Sequence, residues 1–256
     1  MKNSLIVSLL AGALLSLSGA AGAADAVKSA KPAAAIDGKA CSTTPAPRTV
    51  EYPWMSIARW QAMFQEDLEV ADAGKVDLLF VGDSITEGWN KQVWDKSFGK
   101  WKTANFGIGG DHTGNVLWRL DNGHAGNLHP KLVVLTIGVN NFFHCQASPA
   151  EVFEGVKAVV AKLRALYPDS RLLLNAVLPY EQSGQSPKRA QVEELNRMIA
   201  GLDDGKTIIY KDYGKRFLQA NGDMSPTIMK DFLHPTPKGY QVWADAMLPD
   251  IRKLMK

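Results

Sequence analysis

Beyond residue 52 the chain alternates short, continuous apolar runs with helix-length segments. The runs lie at 76–81, 132–137, 171–177 and 207–210, with a weaker one at 103–106. Strands buried on both faces of a parallel sheet read as unbroken apolar runs, and parallel neighbours need long crossovers between them. Between the runs, Val152, Phe153, Val156, Val159, Val160, Leu163 and Leu166 recur with a 3.6-residue period and predict a helix ending at Tyr167-Pro168. Met55, Ala58, Met63 and Phe64 predict an amphipathic helix before Gly74, and a further helical segment starts near Lys238. No internal repeat is present. The pattern predicts one three-layer α/β/α domain over residues 52–256, with a central parallel sheet of about five strands. In such sheets ligands bind beyond the carboxyl ends of the strands, so chemistry is expected just after each apolar run.

Residues 24–51 carry Ala, Lys, Pro, Ser and Thr without apolar periodicity and read as a linker or extended arm. Residues 1–23 read as a signal peptide: Lys2 gives a charged start, 5–17 a mostly apolar run, and Ala21-Gly22-Ala23 a small-residue cleavage site. The apolar run is shorter than the ~20 residues needed to span a bilayer, so no integral membrane segment is expected after cleavage. The chain is thus read as exported, to the periplasm or outside the cell. Apolar residues make up 46% and charged residues 21%, an ordinary globular composition. Lys plus Arg at 29 against Asp plus Glu at 26 leaves no basic excess of the kind that nucleic-acid binding needs.

The candidate chemistry falls where the sheet predicts it. Run 76–81 leads into Gly82-Asp83-Ser84, which places Ser84 at a strand-to-helix junction with its hydroxyl exposed and its amide unpaired; a plain helix cap is the competing reading. Asn105-Phe106-Gly107-Ile108-Gly109-Gly110-Asp111 follows the second run, and its glycines let backbone amides approach a ligand. It matches neither a dinucleotide fingerprint nor a phosphate loop. Gly138-Val139-Asn140-Asn141 follows the third, where a side-chain amide can donate to a developing oxyanion. Near the C-terminus, Asp231-Phe232-Leu233-His234 sets an acid three residues before a histidine, close enough to accept from the ring and fix its tautomer. Each signal alone is modest. One serine, two oxyanion donors and an Asp–His pair at the same sheet edge are more than caps and turns produce.

These blocks, in this order over residues 76–245, resemble the SGNH (GDSL) hydrolases, whose fold is flavodoxin-like. The segment from Asn105 to Asp111 and Val116-Leu117-Trp118-Arg119-Leu120 are similar to the platelet-activating-factor acetylhydrolase catalytic subunits and their bacterial relatives. Asn141 stands where the wider family has aspartate, as in that branch. Tyr180 and Glu181 replace the arginine and glycine common after the proline there. The resemblance implies that Ser84 is the nucleophile, His234 the base and Asp231 its orienting acid. It also implies an oxyanion hole from the Ser84 and Gly110 amides and the Asn140 side chain.

The expected reaction is serine esterase chemistry through an acyl-enzyme, with no cofactor or metal required. The expected substrate is a small-molecule or glycan ester carrying a short acyl group, acetyl above all, on a carbohydrate or lipid-like alcohol. Ile85, Leu233 and Asp111 flank the reacting residues and are assigned to the substrate, the two branched side chains walling a small acyl pocket. A thioesterase or lysophospholipase uses the same residues. A non-catalytic glycan-binding module instead relies on exposed aromatics such as Trp54, Trp89 or Tyr180, although Trp118 and Trp243 read as packing. His144 and Cys145 lack the spaced pairs of a structural zinc site. Cys41 and Cys145 are the two cysteines; in an oxidising compartment they form a disulfide pinning the arm, or else remain separate thiols.

Overall fold

In the computed structural model, which describes residues 37–256, the apolar runs pair into one parallel sheet. Its strands are β1 (Leu78–Gly82), β2 (Thr103–Gly107), β3 (Leu132–Thr136), β4 (Arg171–Asn175) and β5 (Ile208–Lys211), in the order β2-β1-β3-β4-β5. Leu78 faces Thr103 on one side and Leu132 on the other, and every residue of β1 and β3 is buried. That explains their unbroken apolar reading. The strand order reverses between β1 and β3, and the crevice at that point is where such sheets bind ligands.

The helices are α1 (Gly38–Thr43), α2 (Ile57–Ala73), α3 (Ser84–Glu87), α4 (Lys91–Phe98), α5 (Thr113–Asp121), α6 (Val139–His144), α7 (Pro149–Leu166), α8 (Pro187–Ala200) and α9 (Pro237–Leu254). Helices α5, α7 and α8 pack as one layer, with α1 laid on α5 and α7, and α4 packs with α9 as the other. Local chemistry sets the boundaries. Ser56 caps α2 by accepting from the Arg59 amide at 3.0 Å, and Gly74 ends it at φ +65°. Pro149 opens α7 behind a Ser148/Glu151 capping box, and Pro237 opens α9. Trp89 stacks on Trp243 at 5.1 Å within the main core, and Tyr180 is buried, so both are packing residues.

The domain begins earlier than the apolar pattern predicts. Of the two readings of this stretch, linker or extended arm, residues 37–51 form the arm: α1 is docked, Ser42 and Arg48 are buried, and Cys41 is disulfide-bonded to Cys145. The docking is polar. Thr113 Oγ1 donates to the Ser42 carbonyl at 2.6 Å, the Ala46 amide donates to the Gly114 carbonyl at 3.2 Å, and Asn115 Nδ2 donates to the Ala46 carbonyl at 2.9 Å. Apolar periodicity carries no trace of such contacts. The leader-like residues 1–23 and the stretch 24–36 lie outside the described residues. Among those described, no helix is long and apolar enough to cross a membrane.

Candidate active site

Strand β1 ends at Gly82, where a Cβ would collide with the Thr86 hydroxyl and the Thr136 carbonyl. Asp83 turns the chain and caps α3, its carboxylate accepting from the Ile85 amide at 2.9 Å. Burial raises the Asp83 carboxyl to about 7, against the pull of the Ile85 amide, and the neighbouring Asp111 adds to the rise. The cap is therefore Asp83, and the candidate serine is the residue after it. Ser84, the first residue of α3, has no acceptor for its amide among the described residues.

Ser84 Oγ lies 2.9 Å from His234 Nε2, and His234 Nδ1 lies 2.7 Å from Asp231 Oδ2. The second Asp231 oxygen accepts from the backbone amides of Leu233 at 3.1 Å and His234 at 2.7 Å. Phe232 takes φ +60° to allow that curl. Burial works to raise the Asp231 pKa, but the His234 amide and ring, with the Leu233 amide, outweigh it and hold the carboxyl below its usual range. An ionised Asp231 takes the Nδ1–H and leaves Nε2 free to accept the Ser84 proton.

Facing them is the second side of the cleft. Gly110 sits at φ +75°, where a Cβ would meet the Trp54 ring and the Arg48 guanidinium, and its amide has no acceptor among the described residues. Asn140 donates one amide hydrogen to the Asp111 carbonyl at 3.0 Å, which fixes the side chain and leaves its second hydrogen free. Asn141 explains its own departure from the family aspartate. Its Nδ2 donates to Ser42 Oγ at 2.9 Å and Thr113 Oγ1 at 2.7 Å. Both hydroxyl hydrogens are already spent, on the Gly38 and Ser42 carbonyls, so a carboxylate oxygen in place of Nδ2 would meet no donor, while Oδ1 accepts from the Thr113 amide at 3.1 Å.

Ser84, Gly110, Asn140, Asp231, Leu233 and His234 line one cleft of about 630 Å³. Two expected substrate contacts do not reach it. Ile85 is 2% exposed and packs into the core, its carbonyl accepting from the Tyr240 hydroxyl at 2.9 Å. Successive helical residues point about 100° apart, so the turn that exposes Ser84 buries Ile85. Asp111 is fully buried beneath the loop, bound to Arg119 Nε at 2.8 Å and Trp60 Nε1 at 2.7 Å; it braces the site from below and does not line the cleft.

The sequence reading missed several wall residues. Phe143 is 43% exposed and stands one helical turn after Asn140 on α6, a spacing that was a usable signal. Arg59, ion-paired to Glu87 at 2.9 Å, and Lys230 bring charge to the cleft with no motif to mark them. Trp54, which the sequence offered only as an exposed aromatic of a binding module, was not missed: it is 52% exposed, lines the cleft and stacks on Tyr52 at 4.9 Å. Cys41, His112 and Cys145 cluster closely enough to suggest a metal, but the two thiols are consumed by their disulfide.

Comparison with known proteins agrees with this geometry. The profile of the GDSL-like lipase/acylhydrolase family matches residues 80–242. Subunit alpha1 of platelet-activating factor acetylhydrolase IB from Rattus norvegicus is 33% identical over 184 residues, covering 71% of this chain and 78% of the relative. A GDSL-like lipase from Bacteroides thetaiotaomicron superposes with a TM-score of 0.61 at 22% identity, covering 77% of this chain and 98% of the other. An acetylxylan esterase from Geobacillus stearothermophilus superposes at 0.56 with 19% identity, over 69% and 94% of the two chains. The two structures share the fold, and with the profile match over more than half of its length the chain belongs to the GDSL-like lipase/acylhydrolase family and is a carboxylic ester hydrolase.

Proposed function

We propose that the protein hydrolyses short-acyl esters, chiefly acetyl esters of a carbohydrate or lipid-like alcohol, through an acyl-enzyme on Ser84. The observation that carries this reading is the unbroken hydrogen-bonded line from Ser84 Oγ through His234 to Asp231, opening on a cleft with free amide donors. His234 Nε2 takes the Ser84 proton as Oγ attacks the ester carbonyl. The Ser84 and Gly110 amides and Asn140 Nδ2 receive the oxyanion. The protonated His234 returns its proton to the leaving alcohol, and water repeats the cycle on the acyl-enzyme. The acetyl preference rests on the rat relative, an acetylhydrolase by name, and on Leu233, whose branched side chain borders the cleft beside the base. Trp54 and Phe143 offer apolar faces, and Arg59 and Lys230 polar groups, to the alcohol.

Export to the periplasm or beyond is supported by the leader-like residues 1–23 and by the Cys41–Cys145 disulfide, a bond that persists in oxidising compartments. The test of function is kcat/KM on p-nitrophenyl acetate, butyrate and octanoate. Acetate should exceed octanoate by about tenfold or more, and Leu233→Ala should narrow the gap, since each methylene is worth ~1–3 kcal/mol in an apolar pocket. An enzyme that prefers octanoate contradicts the acetyl reading.

A further inference from the structure

Arg48 lies in the N-terminal arm, outside the span 80–242 that the family profile matches. Its side chain is 3% exposed, and its Nε and Nη1 have no hydrogen-bond partner among the described residues. Nη2 donates to the Gly109 carbonyl at 2.7 Å and reaches Asp111 Oδ1 at 3.3 Å, while the Tyr52 ring covers the guanidinium at 5.3 Å. Burying a cation with two unmet donors is costly, so this placement calls for a purpose.

The Gly109 carbonyl and the Gly110 amide belong to one planar, trans peptide, so fixing the C=O aims the N–H in the opposite direction. A charge-assisted donor on that carbonyl also polarises the peptide and strengthens its N–H as a donor. The other backbone donor is treated alike. Ser84 N–H shares its peptide with the Asp83 carbonyl, which accepts from the Thr86 and Glu87 amides at 3.0 and 2.8 Å. There α3 supplies the clamp; no helix starts at Gly110 to bond the Gly109 carbonyl, α5 beginning only at Thr113, and the arm supplies the clamp instead.

We propose that Arg48 is a positioning residue that orients and polarises the Gly109–Gly110 peptide so that its N–H receives the oxyanion. This rests on the assignment of Gly110 to the oxyanion hole of a Ser84 esterase.

The test compares Arg48→Met and Arg48→Lys on p-nitrophenyl acetate, with rates divided by sites titrated with a fluorophosphonate so that unfolded protein does not count. Losing one oxyanion donor outright costs about 10²–10³ in turnover, and a misaligned, weakened donor should cost Arg48→Met about 10–100-fold in kcat, with KM within about threefold. Arg48→Lys, which restores a charged donor, should recover part of that loss. Inhibition by phenylboronic acid, whose tetrahedral adduct places an oxygen in the hole, should weaken in step with kcat. If Arg48→Met does not fold, Arg48→Gln, which keeps one neutral donor, is read against the same limits. A kcat per titrated site within about twofold of the parent, or a loss carried by KM with boronate inhibition unchanged, overturns the proposal. Ser84→Ala separates the two layers: activity surviving there sinks the underlying mechanism, whereas an inert Ser84→Ala beside an unimpaired Arg48→Met sinks this inference alone.

Discussion

On one side of the cleft, four consecutive residues orient Asp231 and His234, whose side chains remain 49% and 29% exposed. On the other, Gly110 and Asn140 are buried and held by groups from far along the chain: Arg48, the Asp111 backbone, and Asn141 bonded to Ser42. The first side is a local turn in solvent, where a substitution should cost activity and little stability. The second is a buried polar network that depends on the arm, where unmet partners should cost both.

The largest expected effect lies on the solvent side. Ser84→Ala or His234→Ala should lower kcat by about 10⁴ or more. Thermal unfolding of either variant should shift little, and a large drop in Tm would break the contrast between the two sides. Next comes the arm. Converting Cys41 and Cys145 together to serine opens a link between residues 104 apart, which the chain-entropy model values at up to about 4–5 kcal/mol. Urea unfolding should register a loss of that order; a change below about 1 kcal/mol would mean that the polar contacts alone hold the arm. Asn140→Ala should follow, with kcat down about 10²–10³ and KM little changed, as for the removal of one oxyanion donor.

The smallest effect concerns pH. Burial lowers the His112 pKa to about 4, helped by the charges of His144 and Arg48, so the folded protein favours the neutral ring. That stability is present above the ordinary histidine range and is lost as pH falls from about 6.5 towards 4. Asp83, raised to about 7, acts oppositely, so the difference between parent and variant is the useful quantity. His112→Asn should therefore flatten the parent's decline between pH 6.5 and 4, by about 1–2 kcal/mol after allowance for solvent screening. Parallel decline of the two proteins would place the acid sensitivity elsewhere.

The same contrast explains what the sequence reveals. Asp231 and His234 are legible because their geometry is made by the intervening turn, and Gly82-Asp83-Ser84 because a strand end and a helix start coincide there. Sequence neighbours share position but not direction, so Ile85 and Asp111 were misplaced: one turns into the core, the other down to Arg119. Arg48, Arg59 and Ser42 act through tertiary polar contacts that leave no period and no motif. An arm docked by a disulfide and hydrogen bonds is therefore not told apart from a linker by its apolar pattern, and its two cysteines were the one signal for the arm.

The central claim is that Ser84, activated by His234, carries the acyl group. Fluorophosphonate labelling followed by peptide mapping tests it most directly. The account predicts one adduct per chain, on Ser84, absent in Ser84→Ala and formed far more slowly in His234→Ala. An adduct on another residue, or a Ser84→Ala protein that still hydrolyses p-nitrophenyl acetate at a comparable rate, would contradict it.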